Sequence, residues 1–298
     1  MSNTRISIGH AWYNQHMIKQ DTHSSSAPKA SKPATQQKLP LKLMGIVIAI
    51  LVLIIVITIG VQSCNTPQYN WNNLHNDNGR MSYVENGTVT SLAGIDVSSH
   101  QGQIDWHAVK NDGIDFAFLR AGRRGYTEGK IYADETFYTN ADGAVNAGIP
   151  IGVYFFSQAI NEDEAREEAH YVLDMISGMK ITCPIAYDFE NIPESDGRGN
   201  SLSPEQVTKN ADAFCSVIEQ AGYTAIIYGN QYDLKRYDLS KLHHDIWYAE
   251  YNVNHPSDTV RFAMWQYTHT GTVAGIHTDV DLNICFDASM IKPIENDQ

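Results

Sequence analysis

The chain has 298 residues, 43% of them hydrophobic, and a formal net charge of −13. This length suits one large domain with appendages or two small ones, with ample apolar material for a core. The charge is uneven: residues 1–42 carry six basic residues (Arg5, Lys19, Lys29, Lys32, Lys38, Lys42) and one acid, Asp21, whereas the remaining 256 residues carry 15 basic and 33 acidic ones. So acidic a domain repels nucleic-acid backbones and anionic polymers in general, which leaves a neutral or specifically recognised substrate and no nucleic-acid partner.

Residues 1–42 are polar, with Ser24-Ser25-Ser26, scattered lysines and little periodicity. They are expected to form a disordered cytoplasmic tail. Leu43 to Val61 is nineteen residues without a charge, rich in Ile, Val and Leu. At about 1.5 Å per residue such a helix nearly spans a hydrocarbon core of about 30 Å, so residues 43–61 are expected to be a transmembrane helix. A buried core helix and a cleaved signal peptide are the alternatives; a signal peptide has a shorter apolar run, of about 7–15 residues, and a shorter leader. Lysines on the N-terminal side place the N-terminus in the cytoplasm and everything beyond residue 62 outside. Processing as a lipoprotein at Val61-Gln62-Ser63-Cys64 is a further alternative. Residues 62–82 are expected to be a short stalk, and residues 83–298 the catalytic domain.

Short apolar runs then alternate with helical patterns. Strands are expected near Gly94–Ser98, Phe116–Ala121, Ile151–Ser157, Pro184–Glu190 and Ala225–Gly229, with helices between them. Asn161 caps one helix, whose early acids Glu162, Asp163 and Glu164 suit the helix dipole. Its apolar stripe is Ala165, Ala169, Val172, Leu173 and Ile176. A second helix begins with a capping box from Ser203 to Gln206 and Pro204 at its first position. It buries Val207, Ala211, Phe214, Cys215 and Ile218 and stops at Gly222. Three more strands, near Ile246–Tyr251, Phe262–Thr268 and Val280–Ile284, leave little room for long helices. Five β/α units and three further strands imply an α/β fold, an irregular TIM-like (β/α)5(β)3 barrel. An open doubly wound sheet is the alternative, and no G-x-G-x-x-G follows a strand to support a dinucleotide site.

Side chains alternate along a strand. In Ile185-Ala186-Tyr187-Asp188-Phe189-Glu190, the odd-numbered side chains pack outward, and Ala186, Asp188 and Glu190 face the barrel axis. Asp188 and Glu190 thus project into the same space from Cα atoms about 6.6 Å apart, at the strand end where barrel enzymes place their active sites. Asp96 and Asp281 take the same phase on the first and last strands. Crowded, partly buried carboxyls raise one another's pKa, so one can hold a proton for a leaving oxygen and another stay ionised to face developing positive charge. Such acids can also cap loops or hold a cation. Tyr154, Tyr228, Trp247, Tyr248, Tyr251, Trp265 and Tyr267 lie at or near strand ends, where aromatic faces suit sugar rings; core packing accounts for about half of them. No histidine pair at helical ligand spacing lies near the acids. His243 and His244 are adjacent and would point apart on a regular element, which makes them surface histidines, so no metal site is expected. Cys64, Cys183, Cys215 and Cys285 contain no C-x-x-C pair. Cys215, on an apolar helix face, is expected to be a buried free thiol, and any disulfide pairing stays open.

The segments Gly94-Ile95-Asp96-Val97-Ser98-Ser99-His100-Gln101-Gly102, Phe118-Leu119-Arg120-Ala121-Gly122, Gly152-Val153-Tyr154-Phe155-Phe156, Asp188-Phe189-Glu190, Trp265-Gln266-Tyr267 and Val280-Asp281-Leu282-Asn283 together resemble glycoside hydrolase family 25, the Chalaropsis-type lysozymes. Each motif alone is weak; their ordered set over roughly residues 90–287 is specific. The resemblance implies a monomeric, cofactor-free hydrolase of the β-1,4 bond between N-acetylmuramic acid and N-acetylglucosamine in peptidoglycan. It implies Glu190 as general acid and Asp188 as stabiliser of the transition state or orienter of the substrate's acetamido group. Asp96 and Asp281 would complete the acidic cluster, and Tyr154, Tyr228 and Trp265 would shape the sugar subsites. Retaining, inverting and substrate-assisted mechanisms stay open, as does the source of the wall attacked. The competing readings are a catalytically silent peptidoglycan-binding or scaffold protein and a metal-dependent glycan deacetylase.

Overall fold

The strands expected from alternating apolar runs are present and close into a ring. The computed structural model describes residues 48, 50–52, 68–192, 197–257 and 259–294, and the chain divides into two units, Met1–Asn65 and Thr66–Gln298. In the first unit, residues 48 and 50–52 are helical and exposed. The expected cytoplasmic tail, the rest of the expected membrane helix over 43–61, and Cys64 lie outside the described residues. Among the described residues no helix is long and apolar enough to cross a membrane.

From residue 68 on, the segment expected to be a stalk is folded. A 3-10 turn at Trp71–Asn73 leads into a three-stranded antiparallel meander of β1 (Leu74–Asp77), β2 (Arg80–Glu85) and β3 (Thr88–Val89). Both of its turns are Asn-Gly dipeptides with positive φ: Asn78 at 51° with Gly79 at 86°, and Asn86 at 52° with Gly87 at 80°. This is the backbone that a two-residue hairpin needs and that Asn-Gly tolerates best. The segment is anchored by aromatic packing. Tyr69 stacks on Phe286 with ring centroids 4.3 Å apart, Tyr83 is buried, and the Tyr69 hydroxyl donates to the Phe262 carbonyl at 2.9 Å.

The barrel runs β4 (Leu92–Val97), α1 (Trp106–Asn111), β5 (Phe116–Arg124), β6 (Ile131–Ala133), α2 (Phe137–Asn146), β7 (Ile151–Ser157), α3 (Glu162–Met175), β8 (Ile185–Phe189), α4 (Pro204–Gln220), β9 (Ala225–Asn230), α5 (Gln231–Leu234), β10 (Asp245–Ala249), β11 (Met264–Gly271) and β12 (Val280–Cys285). The ring order is β4-β5-β7-β8-β9-β10-β11-β12, closed by pairing of β12 with β4. Neighbours are parallel from β4 round to β11, and β12 is antiparallel to both its neighbours. β6 is a short hairpin partner of β5 outside the ring.

The helix caps expected for α3 and α4 are in place. Asn161 Oδ1 accepts from Glu164 N at 2.9 Å, and Ser203 Oγ accepts from Gln206 N at 3.2 Å. The capping box at α4 is only half formed, because the Gln206 amide donates instead to Glu162 Oε2 and Asn210 Oδ1. A direct bond to α3 has replaced the reciprocal one.

Strand alternation sorts the core into two layers. Ile185, Tyr187 and Phe189 of β8 join the large cluster between strands and helices. Inside the ring, Phe116, Phe118, Ala186, Ile226, Trp247, Met264 and Cys285 form a second cluster. Glycine makes room for its large rings: a Cβ on Gly94 would lie 2.2 Å from the Phe116 ring, and one on Gly152 would lie 2.7 Å from that of Phe118. This packing fills the floor of the barrel and leaves its C-terminal mouth open. Cys183, Cys215 and Cys285 are free thiols, all buried.

Candidate active site

A cavity of about 330 Å³ opens at the C-terminal ends of the strands, and Asp96, Asp188, Glu190 and Asp281 all line it. Parallel register brings the acids together. Asp188 pairs with Phe156 on β7 and Tyr228 on β9, and Asp281 lies directly opposite Asp96 across β12 and β4. Glu190 follows the last residue of β8, and two side chains clamp the backbone there. Gln158 Nε2 donates to the Glu190 carbonyl at 3.0 Å, and Asp233 Oδ1 accepts from Asn191 N at 3.0 Å.

Asp96 sits in an ordered network of side-chain hydrogen bonds, anchored on one side by an indole that can only donate. The Trp247 indole donates to Asn283 Oδ1 at 2.7 Å, so the Asn283 amide nitrogen turns to Asp96 Oδ2, at 2.8 Å. Tyr228 donates to Gln266 Oε1 at 2.7 Å and Tyr251 donates to the same oxygen. The Gln266 amide nitrogen therefore also donates to Asp96 Oδ2, at 2.7 Å. One carboxylate oxygen thus receives two N–H groups.

Burial dominates the electrostatics. Asp188 is 4% exposed and its Oδ1 has no hydrogen-bond partner. Burial, with Glu190 and Asp233 nearby, pushes its pKa well above the usual carboxylate range. Burial and the Asp233 charge raise Glu190 to about 7. Burial and Asp281 raise Asp96, against the two amide donors, and burial with Glu190 raises Asp281 to about 6. The expected division into one protonated and one ionised acid is therefore collective. Asp188 and Glu190 are hydrogen-bonded to each other, so they titrate as a pair.

Of the aromatic residues expected at the sugar subsites, Tyr154 and Tyr228 line the cavity, as do Trp247 and Tyr251. Trp265 does not. It belongs to the outward layer and is fully buried there, with its indole donating to the Glu250 carbonyl at 2.9 Å. On β11 the inward phase falls to Met264 and Gln266, which puts Trp265 on the other face. Tyr248 and Tyr267 are likewise outward core residues. The rim also carries His100, Arg120, Arg123, Tyr126 and Phe156, of which His100, Arg120 and Phe156 stood in recognised motifs. Arg120 is held by Asp134, with Nε donating to Oδ2 at 2.9 Å. Among the described residues, none of the cavity acids belongs to a group of three ligands tight enough to share a metal ion.

The model of the family described as glycosyl hydrolases family 25 matches residues 95–276. The chain belongs to glycoside hydrolase family 25. It is 31% identical over 194 residues to an autolytic lysozyme of Clostridium acetobutylicum, a match covering 64% of this chain and 55% of that protein. It is also 31% identical over 207 residues to lysozyme M1 of Streptomyces globisporus, covering 65% and 68%. Among solved structures, the modular autolysin LytC of Streptococcus pneumoniae, in complex with a synthetic peptidoglycan ligand, aligns with a TM-score of 0.59. That match is 25% identical and covers 71% of this chain and 52% of LytC. This family 25 chain thus spans about half the length of the autolytic lysozyme and of LytC.

Proposed function

We propose that this family 25 protein is a peptidoglycan muramidase, cleaving the β-1,4 bond between N-acetylmuramic acid and N-acetylglucosamine. One observation carries the reading: Asp188 and Glu190, two residues apart on one strand, share a buried cavity in which both pKa values are raised. A carboxylic acid kept protonated near neutral pH can protonate a glycosidic oxygen, and a neighbouring carboxylate can face the positive charge that develops at the anomeric carbon. Glu190, at the strand end and less deeply buried than Asp188, is the member that reaches the leaving oxygen. Asp188 lies beneath it, where it stabilises the transition state or orients the acetamido group. Asp96 and Asp281 complete the acidic cluster on the opposite wall, with Asp96 held in place by Gln266 and Asn283. Tyr154 and Tyr228 give the sugar rings apolar faces, backed by the buried Trp247. One chain supplies every one of these groups, which supports action as a monomer.

In this reading the apolar segment Leu43–Val61 tethers the enzyme to the membrane, with the lysine-bearing tail in the cytoplasm and the barrel outside. The segment's uniform apolarity and the lysines before it support the tether. Two experiments test the proposal. Purified peptidoglycan is incubated with the full chain and with Glu190→Gln, and new reducing ends are identified. Ends at N-acetylmuramic acid, released by the wild type only, support the muramidase; glycan binding without release by either protein overturns it. Protease added to intact cells should remove the barrel and spare the tail; a protected barrel defeats the tether.

A further inference from the structure

His243 and His244 do not point apart. They lie in the irregular segment before β10, outside any regular element, and their rings are 4.1 Å apart between centroids at an interplanar angle of 34°. Both turn toward Glu219, near the C-terminus of α4. His243 Nε2 is 3.4 Å from Glu219 Oε2, and His244 Nε2 is 3.4 Å from Glu219 Oε1. The ligand atoms of all three residues fall within 4.8 Å of one another.

We propose that Glu219, His243 and His244 form a binding site for a divalent transition metal of the zinc class, at the N-terminal end of the barrel and remote from the acidic cavity. Two independent features support it. The first is distance. Charge-assisted hydrogen bonds from imidazole to carboxylate are about 2.7–2.9 Å long, and both contacts exceed that. Zinc binds imidazole nitrogen and carboxylate oxygen at about 2.0–2.2 Å, which sets neighbouring ligands of a tetrahedron about 3.3–3.5 Å apart. Each contact matches that edge, to a different oxygen of Glu219, so the carboxylate would chelate the ion or turn to present one oxygen. The second is the state of His244. Its side chain is 0% exposed, yet neither ring nitrogen has a well-aligned hydrogen-bond partner. A buried, unsatisfied imidazole is costly unless something binds it, and a metal on Nε2 would use its lone pair. His243 and Glu219 are exposed enough, with side chains 71% and 38% accessible, for an ion and its remaining water to enter from solvent. A bound ion would tie the end of α4 to the segment that leads into β10.

The test is a titration of the metal-free full chain with Zn²⁺, followed by calorimetry and thermal melting, beside His243→Ala and Glu219→Gln. Both substituted residues are surface-accessible, so the fold should survive either change. The wild type should bind one equivalent with micromolar or tighter affinity and melt at a higher temperature with Zn²⁺ than without. Each variant should bind at least tenfold more weakly and lose the melting shift. Cu²⁺ used as a spin probe should show two imidazole nitrogens in the wild type and one in His243→Ala. No saturable binding by the wild type, or binding unchanged in both variants, overturns the proposal.

Discussion

Asp96 and Asp281 face each other as directly paired residues across the β4–β12 ladder, with both side chains on the wall of the same cavity. Opposed residues in an antiparallel pair hold their Cβ atoms about 4.5–5.5 Å apart, so like charges there destabilise the sheet. Both acids lie across the cavity from Asp188 and Glu190. The cost of the pairing is predictable in sign. Asp281 has a pKa raised from 3.8 to about 6 in the folded chain. The stabilising proton is fully bound below the unfolded value near 4 and is lost as pH rises through about 6. Asp281→Asn should therefore stabilise the protein at pH 8, by up to about 3 kcal/mol from the size of the shift. It should do little at pH 4. Thermal melts at both pH values decide this, and equal effects at the two would refute it.

The Asp188–Glu190 pair makes the same kind of prediction for activity. With Glu190 at about 7, turnover should fall as pH rises above 7, because the proton needed by the leaving oxygen is gone. Glu190→Gln should lower kcat by about 10²–10⁴-fold, the range for losing a general acid, with a much smaller change in KM. Rates of reducing-end release at several pH values measure both. A variant that kept the alkaline fall would move the responsible group elsewhere.

Trp247 acts on the acids at one remove. Its indole fixes the Asn283 amide, which in turn donates to Asp96. In Trp247→Phe the Asn283 carbonyl loses its donor and the amide is free to turn its oxygen toward Asp96. Asp96 then loses one of two donors that favour its ionised form, and its pKa should rise. The acid limb of the activity profile should shift to higher pH. Loss of packing alone would lower the rate without moving the limb.

The eight barrel strands and the acids at their ends were legible because each strand alternates strictly between two unlike environments. Period-two alternation put Asp96, Asp188 and Asp281 inside and Tyr187 outside before any contact was known. The same rule applied to β11 picks Gln266 over Trp265; the size of the indole, which suits a sugar face, argued the wrong way. The meander over 74–89 reads, in sequence, as a stalk and the start of the barrel. Its two Asn-Gly pairs are strong hairpin signals, but the polar composition around them reads as a stalk until Tyr69, Tyr83 and Phe286 are seen to pack together. The Glu219–His243–His244 cluster had no such signal. It joins a helix end to an irregular segment, and only the folded backbone determines that two adjacent imidazoles turn the same way.

Beneath the barrel wall, Arg124 of β5 and Glu168 of α3 form an ion pair with side chains 4% and 0% exposed and a 2.6 Å contact. The guanidinium also donates to the Gly129 carbonyl at 2.6 Å and to Glu167 at 2.7 Å. Burial raises Glu168 to about 7 even against the Arg124 charge. Replacing a buried partner leaves the other charge uncompensated, so Arg124→Met should cost about 3–5 kcal/mol at pH 8. The cost should shrink at pH 5. Glu168 has a raised folded-state pKa, higher still without Arg124, so the proton it binds there restores a neutral, tolerable group. Adding Glu168→Gln to Arg124→Met should recover much of the loss at pH 8, whereas Glu168→Gln alone leaves the arginine with Glu167 as its close carboxylate. Denaturant unfolding of the four proteins at the two pH values forms a double-mutant cycle. A coupling energy near zero would mean that the pair is held by its surrounding hydrogen bonds and not by its opposite charges.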